Sequence, residues 1–110
     1  MLTEKDYCDK DTAFALQELG YNPYMFDDDG TPAIHLWYAQ KFLREEKKLI
    51  VLVGFDFCPF TSEIVYNWVI VVNGNTAKKS SYTYDYFEEA LSEGINEAIK
   101  ILKENETIHE

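Results

Sequence analysis

The sequence predicts an α+β domain, a three-stranded antiparallel β-meander packed by helices, in the order α-α-β-β-β-α. Three observations carry that prediction. Apolar residues recur at helical spacing over 10–19, 32–47 and 85–104. Two runs rich in β-branched residues, 49–57 (LIVLVGFDF) and 64–73 (IVYNWVIVVN), follow one another in mid-chain. Asn73-Gly74 then joins the second run to a third, because a type I′ turn needs positive φ at both central residues.

Each element has a local justification. Asp9 can cap a first helix from Lys10, with Thr12, Ala13, Leu16 and Leu19 on one face. Gly20 is a natural stop and Pro23 lies just beyond. The stretch 24–31 (YMFDDDGT) reads as a short extended piece entering a tight turn. Thr31 with Pro32 reads as the start of a second helix running to about Lys47, with Leu36, Ala39, Phe42 and Leu43 inside. Leu49 to Phe57 is apolar at both alternations, so a strand buried on both faces is expected, with Gly54 marking a bulge or close approach. The third strand, Thr76 to about Thr83, is polar and carries Lys78 and Lys79, which suits a protected edge. Asp85 with Glu88 three residues on reads as the capping box of the last helix. Its stripe runs through Phe87, Ala90, Leu91, Ile95, Ala98, Ile101 and Leu102. Gly94 within that stripe points to a close approach to the sheet. The first and last long helices are expected to cover the sheet, with frayed ends at about 1–7 and 105–110.

Composition bounds the class. The chain is expected to form one domain over residues 1–110, since single domains commonly run to about 100–150 residues. Glycine and proline together number only 8 and hydrophobic residues make up 46%, which excludes collagen-like and disordered classes. Cys8 and Cys58 are too few for a disulfide scaffold. No apolar stretch approaches the ~20 residues of a membrane span, and the acidic start is wrong for a signal peptide, so a cytoplasmic protein that touches no membrane is expected.

The net charge of −10 is unevenly spread: −6 over residues 1–32, +2 over 33–48, zero over 49–84 and −6 over 85–110. Such a chain repels phosphate backbones. The helix–sheet–helix order at 33–104 resembles double-stranded-RNA-binding domains in topology. Those domains grip phosphates with lysines at the start of the final helix, where this chain has Asp85, Glu88 and Glu89. No nucleic-acid partner is expected in that mode. A row of outward carboxylates on the last helix, Glu89, Glu93 and Glu97, leaves open a different reading, an acidic mimic that occupies a host protein's nucleic-acid groove.

No enzyme signature survives. With Gly30 at the sixth position of an EF-hand loop, Met25 and Leu36 would fall where calcium ligands belong. Two cysteines with His35 and His109 lack any zinc-ligand spacing, and nothing requires a Cys58–His35 nucleophile pair. A cysteine-dependent enzyme is the weakest reading, and no catalytic residue, metal or cofactor is expected.

Four segments carry a family likeness. Gln17-Glu18-Leu19-Gly20-Tyr21, Ala39-Gln40-Lys41-Phe42-Leu43-Arg44-Glu45, Trp68-Val69-Ile70-Val71 and Tyr84-Asp85-Tyr86-Phe87-Glu88-Glu89-Ala90-Leu91 with Gly94 appear in that order. Together they resemble a family of small proteins of gut Bacteroidetes and their phages or mobile elements. The likeness spans residues 9–102. It departs at Phe42, where tryptophan is usual, and in a shorter connection after the first helix. The resemblance implies the fold and a phage or mobile-element source, and it brings no activity with it.

The remaining feature is aromatic. Phe55-Asp56-Phe57-Cys58-Pro59-Phe60 connects the first two strands, where loops are normally polar. Either it folds back as a lid on the core, or Phe55, Phe57 and Phe60, extended by Tyr66 and Trp68 onto the sheet face left open by the helices, form a contact surface. The second arrangement implies a protein partner or a homodimer, and with it a non-enzymatic interaction or accessory module.

Overall fold

A computed structural model describes residues 6–108, with side chains through Glu104. It contains α1 (Lys10–Glu18), α2 (Leu36–Glu46), β1 (Leu49–Phe57), β2 (Ile64–Val72), β3 (Asn75–Lys79) and α3 (Phe87–Ile108), so the fold is α+β in the order read from the sequence. Of the ends expected to fray, 1–5 and 109–110 lie outside the described residues. Tyr7 is tied down, forming a bridge with His35, while the Cys8 N–H donates to the Ile34 carbonyl at 2.8 Å. α3 continues past Asn105 to Ile108.

α1 begins and ends as its sequence dictates. The Asp9 carboxylate accepts from the Thr12 N–H at 2.8 Å. Gly20, at φ +108°, lets the Tyr21 and Gly20 N–H groups return to the Leu16 and Gln17 carbonyls, each at 3.0 Å.

α2 starts four residues later than the Thr31-Pro32 signature indicates. Asp27 takes the capping chemistry for a turn instead: its carboxylate accepts from the N–H groups of Asp29 and Thr31 at 2.9 and 3.0 Å. Pro32 bridges back to Phe26, and Ala33 donates to the Met25 carbonyl. The chain therefore stays extended until His35, whose Nδ1 accepts from the Trp37 N–H at 3.1 Å and caps the helix. Leu36, Ala39 and Leu43 are buried as expected, and Phe42 is half-buried with its ring edge against Tyr21.

α3 also starts late, at Phe87, so Asp85 lies outside the helix and does not cap it. Tyr84 pairs with Tyr66 as an isolated bridge, and the chain bends at Asp85 and Tyr86 before the helix begins.

The sheet has strand order β1-β2-β3. Leu49 pairs with Val72 and Phe57 with Ile64 at the two ends of the β1–β2 ladder. Asn73 and Gly74 have φ of 52° and 81°, as a type I′ hairpin requires. Asn73→Ala is expected to cost about 1 kcal/mol, because alanine resists the left-handed conformation that asparagine accepts. Chemical denaturation of the variant measures it.

α2 and α3 make the main helix contacts with the strands, and α1 packs on α3, where the Thr12 hydroxyl donates to the Asn96 carboxamide. This corrects the expectation that the first helix covers the sheet. It also corrects the two-sided burial of β1. Leu49 and Val51 face the helices and are buried, whereas Leu52 on the other face is 51% exposed. All the helices packed on the sheet share one side, which gives a slab of 44 × 37 × 19 Å. The core is Leu16, Ile34, Leu36, Leu43, Val51, Trp68, Ile70, Leu91 and Ile95 with their small neighbours.

One ion pair ties the protected edge to the last helix. Lys78 on β3 lies 2.6 Å from Glu97, which also meets Lys100 at 3.2 Å. The Lys78 hydrogen bond holds the Glu97 carboxyl below its ordinary value of 4.5. A lowered folded-state pKa stabilises at neutral pH, and that contribution is lost as pH falls from 4.5 through the lower folded value. Lys78→Ala is expected to flatten this acid-side loss, read from unfolding curves taken over about pH 3–6.

Candidate functional site

The five aromatic residues singled out by sequence separate into four environments. Phe55 and Phe57 lie in β1, 66% and 57% exposed, with ring centroids 6.2 Å apart in an edge-to-face contact. Phe60 stands at the tip of the β1–β2 connection and is 94% exposed. Tyr66, the partner of Phe55 in the ladder, is half-buried with its ring 5.9 Å from Phe87. Trp68 is only 5% exposed and belongs to the core, its Nε1–H directed to the Tyr84 hydroxyl at 3.4 Å.

The connection does not fold back as a lid. Cys58 and Glu63 close it, the Cys58 N–H donating to the Glu63 carbonyl and the Ser62 N–H to the Cys58 carbonyl, both at 2.8 Å. Ser62 at φ +61° completes the tight turn. Proline and phenylalanine are carried outward on that frame.

Strand alternation explains where the patch lies. Phe55, Phe57, Ile64 and Tyr66 share the helix-side face with Val51 and Ile70, because side chains two apart on a strand point the same way. The ladder reaches further than α3 does, so Phe55, Phe57 and Ile64 remain open, while Tyr66 is half-covered by the first turn of α3. Phe87 opens that turn and joins them, 44% exposed. Sequence periodicity assigns Phe87 to the buried stripe, and only the late start of α3 reveals its place. The open face of the sheet is a separate surface, formed by Ile50, Leu52, Val65, Val69 and Val71.

A small cleft adjoins the patch. His35, Leu36, Trp37, Gln40, Phe87 and Leu91 contribute to the lining of about 240 Å³ between α2 and the start of α3. Gln40 also reaches β1, its amide donating to the Val51 carbonyl at 2.6 Å.

Titratable groups offer little chemistry. Burial, reinforced by the Asp9 charge, pushes the Cys8 thiol up to about 12, so it stays protonated. A hydrogen bond from Thr61, with the backbone N–H groups of Phe60 and Thr61, lowers Cys58. The His35 ring is engaged elsewhere, as cap to Trp37 and in edge contact with Tyr7 and Tyr38. The structure therefore gives Cys58 and His35 separate partners. A shallow depression holds the carboxylates of Asp9, Glu88, Glu89 and Glu93, yet no group of acidic, histidine or cysteine residues among the described residues is placed to hold a metal. The Asp27–Asp29 run is a turn whose first carboxylate is spent on backbone N–H groups. No helix among the described residues is long and apolar enough to cross a membrane.

What fold and surface define together is a small α+β domain with an aromatic patch at one end of a sheet covered on one side. No protein-family model, curated protein or solved structure matches the chain.

Proposed function

We propose that this chain is a non-enzymatic protein-interaction module that binds through Phe55, Phe57 and Phe60, with Tyr66 and Phe87 at the rim. The observation that carries the reading is the outward placement of three phenylalanines within six residues of a small, acidic domain. Small domains rarely expose contiguous aromatic surface unless it is covered by something, and aromatic anchors supply much of the affinity in protein interfaces.

Affinity capture with the full chain from cells that encode it tests the proposal. The wild type is expected to retain a protein that Phe57→Asp loses and Leu52→Asp keeps. Recovery of no partner of any kind, including a second copy of the chain, overturns it, as does a partner indifferent to Phe57.

Nucleic acid does not fit this surface. Acidic Asp85, Glu88 and Glu89 stand at the start of α3, and Lys48 is drawn to the Glu45 carbonyl at 3.0 Å. No binding to duplex RNA or DNA is expected at ~150 mM salt in an anisotropy titration, and micromolar affinity there refutes the expectation. The mimic reading is weakened because Glu97, third in its carboxylate row, is neutralised by Lys78 and Lys100.

A further inference from the structure

We propose that the partner at this surface is a second copy of the chain, joined by antiparallel pairing of the two β1 edges about a two-fold axis centred on Phe55. The inference rests on the reading above and names its partner.

The two edges of the sheet are unlike. β3 is short, bulged at the Ile70/Val71 step of its partner, and carries Lys78 and Lys79, all of which discourage pairing. β1 is nine residues long, and within it the only charge is Asp56. Its first half is covered, since Gln40 of α2 already occupies the Val51 carbonyl. Among the described residues, its second half has no such cover. Tyr66 exchanges backbone hydrogen bonds with Tyr84, and the Trp68 carbonyl accepts from Ser80, both on the β3 side. Their ladder partners Phe55 and Val53 must therefore direct N–H and C=O away from β2, toward the outer edge. Neither group meets a partner among the described residues.

Charge and sterics select the register. Centring the pair on Asp56 sets two aspartates directly opposite, which is unfavourable. Centring on Gly54 calls on the Val51 carbonyl that Gln40 holds. Centring on Phe55 avoids both: Phe55 faces Phe55, Val53 faces Phe57, and Asp56 faces Gly54, which has no side chain. The Phe57 N–H keeps its own Asp56 carboxylate at 2.8 Å, and Pro59 has no N–H to extend the ladder. In this arrangement Phe57 of each copy, opposite Val53, meets the other copy on its helix side, the side that carries the α2–α3 cleft of about 240 Å³.

Electrostatics and area agree. Two molecules of charge −10 repel at their acidic ends, whereas residues 49–84 are neutral and are where the copies can meet. Phe55, Phe57 and Phe60, at 66%, 57% and 94% exposure, offer about 300–500 Å² per copy, on 150–250 Å² per buried aromatic side chain. Ile64, the strand backbone and the cleft bring this toward the roughly 600 Å² per partner at which stable interfaces begin.

Light scattering and sedimentation of the full chain over a concentration series test the proposal, with a mass twice 12.8 kDa expected. Phe55→Pro removes an N–H outside the β1–β2 ladder, so the folded monomer is expected to persist while dimerisation weakens at least ~100-fold. Leu52→Lys, on the open face, is expected to change nothing. Should Phe55→Pro fail to fold, Phe55→Cys in a Cys58→Ser background decides. Opposed residues of such a pair have Cα atoms about 5.5 Å apart, so a disulfide-linked dimer is expected on oxidation. Leu52→Cys in the same background is expected to stay unlinked.

A folded wild type that remains monomeric at every concentration overturns the inference. If Phe57-dependent capture of a different protein persists in that case, the broader interaction reading stands without it. A dimer broken by Leu52→Lys and indifferent to Phe55→Pro also overturns it, and places the contact on the open face.

Discussion

Ile70→Ala is expected to destabilise the domain by about 3–4 kcal/mol, the loss typical of a large aliphatic residue truncated in a site that cannot collapse. Ile70 sits on the central strand, fully buried, with Val51 opposite it on β1 and α3 above. Neighbours on both strands and the helix hold the site open when the side chain is removed. Val71→Ala, one residue along and on the open face, is expected to cost about 1 kcal/mol, because its half-buried side chain already meets water in the folded state and truncation gives up less buried apolar area. Urea denaturation of the pair reads the difference. Since small domains hold only about 5–15 kcal/mol in total, the first variant should melt far earlier than the second. Equal losses would mean that the helices do not share one side of the sheet.

Gly94→Ala runs against helix propensity. Alanine is the better helix former by about 1 kcal/mol, so an exposed glycine replaced in mid-helix gains stability. At this position a Cβ would lie 2.7 Å from Val51 Cγ1 and 3.1 Å from Trp68 Cβ. Both atoms belong to packed core residues with little room to retreat, and overpacking of this kind costs about 1–3 kcal/mol. A net loss of about 1–2 kcal/mol is therefore expected for Gly94→Ala. Gly94→Val, with two further methyl groups, is expected to abolish cooperative thermal unfolding. A Gly94→Ala variant more stable than wild type would show that α3 does not sit so close to the sheet.

Much of this architecture was legible because the signals were local. Asp9, Gly20 and Asn73-Gly74 each solve a backbone problem within four residues of themselves, and each stands where the sequence puts it. The bounds of β1 follow from its composition, and Gly94 announced the close approach it makes. The misplacements have a common physical origin. Thr31-Pro32 and Asp85 carry capping chemistry, but the same side chains serve turns and extended segments equally well. Which use prevails depends on distant pairing, here Pro32 with Phe26 and Tyr84 with Tyr66. Two-sided apolar alternation in β1 similarly does not say how many layers are available to cover it. With both strand-packed helices on one side, Leu52 is left in solvent and Trp68 is turned into the core. The aromatic patch was half legible: Phe55, Phe57 and Phe60 stand out in the sequence, whereas Phe87 enters only because α3 begins two residues after Asp85.

The strand order β1-β2-β3 has a kinetic corollary. Every strand neighbours the one adjacent in sequence, and α2 runs directly into β1 through the two residues 47–48. Most of the chain's loop closures are accordingly short, and short closures lose little entropy before contacts form. Local strand pairing of this kind favours faster folding than a sheet of distant strands allows. The longest closure is the seating of α1 on α3, where Thr12 meets Asn96 across 84 positions of sequence. That closure is the slow, entropically demanding step this topology retains, and the N-terminal helix is the element expected to be ordered last.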